Sequence, residues 1–101
     1  MDHFNKLTPA QAERLAMLAE ECAEVIQVVG KILRHGYESH HPEAPSITNR
    51  DLLEEEVGDL YAVLQMMSNA GDAPFPETLM WLEGRMQRKL QYSHHQKAGV
   101  A

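Results

Sequence analysis

Apolar residues recur along the first third of the chain at Leu15, Leu18, Cys22, Val25, Ile26, Val29, Ile32 and Leu33. This three-and-four spacing forms one stripe of an α-helix that faces a core. Just upstream, Thr8-Pro9-Ala10-Gln11 has the chemistry of a helix start, with Thr8 as N-cap, Pro9 at the first helical position and Gln11 completing a capping box. The pattern predicts a helix from residue 9 to about 34, ended by Gly36. A second stripe of Leu52, Leu53, Leu60, Val63, Leu64 and Met67 follows Thr48 and Asn49, either of which can cap it, and predicts a helix to about residue 69, before Gly71. Ala73-Pro74-Phe75-Pro76 interrupts the chain. A third helix is predicted from about residue 76 to 92, burying Leu79, Leu82, Met86 and Leu90, with a frayed tail from Ser93.

No strand-like alternation or internal repeat competes, so the fold class is all-α, a bundle of three main helices in one domain spanning residues 1–101. The first helix, roughly 40 Å long at 1.5 Å per residue, is too long for two partners to cover within so small a chain. Completion of the bundle by oligomerisation, as a homodimer or dimer of dimers, is expected. Between the first two helices lies a connection rich in His, Pro, Ser and Gly, broken by Pro42 and Pro45. At about a dozen residues it exceeds the usual helical-hairpin loop, leaving both a plain crossover and a functional loop open.

Composition narrows the possible functions. Nine Lys and Arg stand against fifteen Asp and Glu, a net charge of −6, and eight of the acids are Glu20, Glu21, Glu24, Asp51, Glu54, Glu55, Glu56 and Asp59. Such a concentrated negative field repels a polyanion, so direct nucleic-acid binding is not expected, whereas a metal-bridged nucleotide is compatible with it. The lone Cys22 cannot form an intrachain disulfide, and its place in the first stripe suggests a small buried side chain. With no signal-peptide pattern and no run approaching the roughly 20 apolar residues of a membrane span, a cytoplasmic protein is expected.

The acids carry the chemistry. Glu21 and Glu24, and again Glu56 and Asp59, are three apart, so each pair shares a helical face, where like charges repel. On a wheel of 100° per residue, Glu21 and Glu24 border the first stripe between Met17 and Val28, whereas Glu56 falls inside the second stripe, among Leu52, Leu53, Leu60 and Val63. An ionised carboxylate at such a position needs a partner or a metal. Four carboxylates converging from two helices suit about two hard divalent ions, and Mg²⁺ takes oxygen ligands while keeping waters for substrate phosphates. The plain alternative is a solvated acidic face, or pairing with Lys31, Arg34 and Arg50, and those cations are few.

Glu20-Glu21-Cys22-Ala23-Glu24 followed by Glu55-Glu56-Val57-Gly58-Asp59 resembles the EExxE and ExxD signature of the MazG-like, all-α nucleoside triphosphate pyrophosphohydrolases, over about residues 8 to 67. The resemblance implies hydrolysis of a nucleoside triphosphate, a dNTP or modified NTP, to the monophosphate and pyrophosphate. It also implies Mg²⁺ (Mn²⁺ is an alternative) held by Glu21, Glu24, Glu56 and Asp59 in an oligomeric bundle. Glu20 and Glu55 match only as accompanying acids. The connection between the motifs is long for the family, and Val63 stands where some relatives carry tyrosine. Lys31 and Arg34 are the candidate phosphate-binding residues, with Arg50, Arg85, Arg88 and Lys89 as further cations.

The other conspicuous residues have plainer roles. His40-His41 and His94-His95 are adjacent in loop or tail and make poor zinc pairs, and Trp81 and Tyr61 suit packing at a bundle interface better than stacking on a base. The reading from another class is a non-catalytic helical interaction module, or a nucleotide sensor, that retains a Mg²⁺ site.

Overall fold

The structure is a computed structural model, and it describes residues 4–73 and 79–96. Three helices make up the described chain: α1 Pro9–His35, α2 Asn49–Asn69 and α3 Leu79–Gln91. The fold is all-α, as the periodicity predicts. Thr8 caps α1 through the expected box: its hydroxyl accepts from the Gln11 N–H at 3.1 Å, and its own N–H donates to Gln11 Oε1 at 2.9 Å. Gly36 ends the helix at φ 89°, in a region where an L side chain is strained. Of the two candidate caps for α2 it is Thr48 that serves, in a second box with Asp51. The predicted break at 74–76 and the predicted start of the third helix lie outside the described residues.

α1 and α2 pack as an antiparallel hairpin fastened at both ends. At one end the 36–48 connection folds back on the first turn of α2. His40 and Thr48 form an isolated antiparallel bridge, the Asn49 N–H donates to the Ser39 carbonyl at 2.8 Å, and the Arg50 N–H donates to the Tyr37 carbonyl at 2.9 Å. Asn49 is buried, and its side-chain amide donates to the Gly36 carbonyl at 3.1 Å. The amide groups that open a helix have no partner within it, and this connection supplies them. At the other end Arg14 grips Asp72 with Nε to Oδ2 at 2.5 Å and Nη2 to Oδ1 at 3.0 Å. These hydrogen bonds hold the Asp72 carboxyl below its ordinary range.

The core between the helices is thin. Val28, Val63 and Met67 are its buried apolar residues, and none of the described side chains is completely enclosed. The first stripe does not bury as the sequence predicts: Leu18, Val25 and Ile32 turn toward α2, while Leu15, Val29, Ile26 (70 % exposed) and Leu33 (82 % exposed) face outward. Cys22 is exposed with them, contrary to the buried role expected of it. The physical reason is the width of the apolar arc, which exceeds the strip that one neighbouring helix covers. Among the described residues α3 packs against neither α1 nor α2, so Leu82 and Met86 are exposed where burial was predicted, and Leu90 is half-buried.

Candidate metal centre

The face of α1 turned to α2 carries Leu18, Glu21, Glu24, Val25, Val28 and Ile32, and the acids among them are half-buried. Glu21 and Glu24 therefore do not merely border the buried face; they belong to it. From α2, Glu56 enters half-buried among Leu52, Leu53, Leu60 and Val63, while Asp59, one turn on, stays exposed at the rim. Capping at both starts and the two clamps fix the hairpin register, and this register brings the four acids level. One oxygen from each of Glu21, Glu24, Glu56 and Asp59 lies within 4.8 Å of all the others. Among the described residues this is the single group of His, Cys, Asp or Glu so arranged.

The electrostatics of the cluster follow from four like charges meeting at a partly dry interface. Glu21 is raised above its ordinary range, first by loss of water and then by repulsion from Glu24 and Asp59. Glu56 rises to about 7, chiefly because a hydrogen bond to the Glu24 carboxylate requires the Glu56 proton, and then through burial and repulsion from Glu24, Asp59 and Glu21. With both groups ionised, neither can donate that bond. Correspondingly, Glu21 Oε2 and Glu56 Oε2 are buried with no hydrogen-bond partner. The cations expected as possible partners lie elsewhere: the ion pairs among the described residues are Arg14–Asp72 and Arg50–Glu38. Arg50 is also stacked over the Tyr37 ring at 4.4 Å.

Two orphaned carboxylate oxygens in an all-oxygen donor set are what a hard divalent cation satisfies, so the residues fit such an ion. Glu20 and Glu55 are exposed, in keeping with accompanying charge. Lys31 is exposed on α1, seven residues and thus roughly 10 Å beyond Glu24, on a similar face. Arg34 is exposed as well and lies roughly 60° further around the helix. The histidines of the connection are engaged locally, the Glu43 N–H donating to His41 Nδ1 at 3.1 Å. Tyr61 is exposed, and Arg85 stacks over Trp81 at 5.2 Å. The Arg14–Asp72 clamp is a structural feature that the periodicity did not signal. Both residues are polar, 58 positions apart, and only the hairpin register joins them.

No helix among the described residues is long and apolar enough to cross a membrane. Residues 10–91 match the family model described as the MazG nucleotide pyrophosphohydrolase domain. No curated protein and no solved structure matches the chain.

Proposed function

The chain belongs to the MazG nucleotide pyrophosphohydrolase family, and from that membership we propose that it is a divalent-metal-dependent hydrolase. It cleaves a nucleoside triphosphate, a dNTP or modified NTP, to the monophosphate and pyrophosphate. The observation that carries the reading is the pair of buried, partnerless oxygens of Glu21 and Glu56 inside a four-carboxylate cluster. Glu21, Glu24, Glu56 and Asp59 would hold Mg²⁺, with Mn²⁺ an acceptable substitute. When bound there, the ion supplies charge neutralisation for the triphosphate and acidifies a water.

The chain's own residues do the rest. Half-buried Glu21 and Glu24 on α1 and Glu56 on α2 keep the donor oxygens pre-placed between the two helices, so little reorganisation accompanies binding. Lys31, on the side of α1 that carries Glu24, is placed to bind a phosphate, and Arg34 is the second candidate. A carboxylate of the cluster accepts the proton of a water whose oxygen attacks the α-phosphorus; the bond from that phosphorus to the oxygen bridging to the β-phosphate breaks, and pyrophosphate leaves. The reading places the enzyme in the cytoplasm as a homodimer or dimer of dimers.

The test is pyrophosphate release across a panel of canonical and modified nucleoside triphosphates with Mg²⁺ or Mn²⁺. Glu56→Gln and Asp59→Asn are expected to lower turnover at least 100-fold with helical circular dichroism intact, and EDTA to abolish wild-type release. Absence of metal-dependent release from every nucleotide would sink the enzyme reading in favour of a non-catalytic module or sensor.

A further inference from the structure

The Arg14–Asp72 ion pair differs from the other described pair, Arg50–Glu38, in burial and in geometry. Its side chains are 19 % and 11 % exposed, against 58 % and 69 %. The Arg14 guanidinium donates to both carboxylate oxygens of Asp72, and such a planar fork fixes direction as well as distance. Arg14 stands seven residues before Glu21, so the two share a face of α1 within roughly 20° and lie roughly 10 Å apart along its axis. Half-buried Met17 and Leu18 come between them on α1, and buried Val63 and Met67 come between Asp59 and Asp72 on the other strand of the hairpin. Apolar residues thus separate the clamp from the carboxylate cluster. No described ion pair joins Arg14 to an acid of the cluster.

The cluster gives this position its significance. Four carboxylates with oxygens within 4.8 Å of one another repel across the α1–α2 interface and push the two helices apart. On the side toward His35 the chain itself joins the helices, reinforced by the Asn49–Gly36 hydrogen bond and the His40–Thr48 bridge. On the other side no covalent connection runs between them. There Gly71, at φ 79°, turns the chain out of α2, and the Asp72 N–H donates to the Met67 carbonyl at 2.9 Å. The Asp72 backbone is thereby fixed to the end of α2 while its side chain holds α1. Separating the helices at this end breaks two charge-assisted hydrogen bonds together.

We propose that Arg14 and Asp72 are positioning residues for the metal centre: their fork holds the unconnected ends of α1 and α2 against the repulsion of Glu21, Glu24, Glu56 and Asp59, and so sets the affinity of the site for a divalent cation. The proposal rests on the metal-binding part of the proposed function and adds residues that touch neither ion nor nucleotide.

The test is Mn²⁺ binding to the full chain without nucleotide, followed by electron paramagnetic resonance of the free ion. Arg14→Ala and Asp72→Ala are each expected to weaken binding about tenfold, and the double variant to weaken it no further than either alone. Arg14→Lys, which keeps the charge and the fold but loses the fork, is expected to weaken it about threefold. Thr48→Ala lowers stability at the connected end and is expected to keep the affinity within about twofold. A second measurement needs no metal: in EDTA at pH 8, Arg14→Ala is expected to lower the urea midpoint more in the wild-type background than in Glu56→Gln, where one repelling charge is gone. Wild-type binding that persists unchanged in the clamp variants, or that Thr48→Ala weakens as much as they do, overturns the positioning role alone. Equal midpoint shifts in the two backgrounds also overturn it. A wild-type chain that binds no Mn²⁺ overturns the metal-binding reading and this proposal with it.

Discussion

Glu56 shows how a single residue couples pH, metal and stability. Its carboxyl has an ordinary value of 4.5 and rises to about 7 in the folded chain without metal, so between those values the folded state holds a proton that the unfolded state has released. Stability of the metal-free protein is therefore highest at the acid end of this window, falls as pH rises through it, and levels off above about 7. A divalent cation competes with that proton and reverses the trend. Thermal denaturation in EDTA at pH 5 and pH 8 should give the lower Tm at pH 8, and added Mn²⁺ should raise Tm much more at pH 8 than at pH 5. Glu56→Gln should flatten the pH dependence in EDTA and blunt the response to Mn²⁺. A metal-free Tm that climbs from pH 5 to pH 8 would contradict the crowding of carboxylates described for this cluster.

Individual helices show how the acids come to be level with one another. α1 and α2 begin with the same device, a threonine cap and a side-chain acceptor three residues on, and α2 adds the folded-back connection that satisfies its first amides. Removing the hydroxyl of Thr48 leaves the Asp51 N–H without its acceptor at 3.1 Å. Thr48→Ala is expected to cost about 1 kcal/mol, read from urea unfolding at fixed chain concentration. A loss below about 0.3 kcal/mol would mean that the bridge and the Asn49–Gly36 hydrogen bond hold the helix start by themselves. These starts were legible in the sequence because capping is local: Thr8, Pro9 and Gln11, like Thr48 and Asp51, act within one turn. The Arg14–Asp72 clamp was not, because nothing local distinguishes either residue from an ordinary surface charge.

At the scale of the whole molecule, a chain with a thin core and one face of its longest helix uncovered is expected to draw much of its stability from the association proposed for it. Apparent stability then follows mass action. Raising the chain concentration tenfold should raise Tm by roughly 3 °C for a dimer of this size, in scanning calorimetry without nucleotide or metal. A Tm independent of concentration would show that the hairpin is stable alone. The outward position of Leu15, Ile26 and Leu33 also explains why the first stripe was predicted as a single buried face: periodicity reports that a side is apolar, and it does not report how many partners share it.

What the sequence determined by itself was local or periodic. The α-class, the starts of α1 and α2 and the glycine end of α1 follow from caps, spacing and backbone freedom, each acting within a few residues. The candidate ligands were legible for the same reason, since residues three apart on a helix must be neighbours and a carboxylate within an apolar stripe needs explaining. Tertiary structure alone decided the long-range facts: that Glu21, Glu24, Glu56 and Asp59 meet within 4.8 Å, that Arg50 is engaged by Glu38 and Tyr37, and that Cys22 is exposed. Each depends on the rotation and register of one helix against another, set by the sum of many weak contacts along the hairpin and by its two clamps.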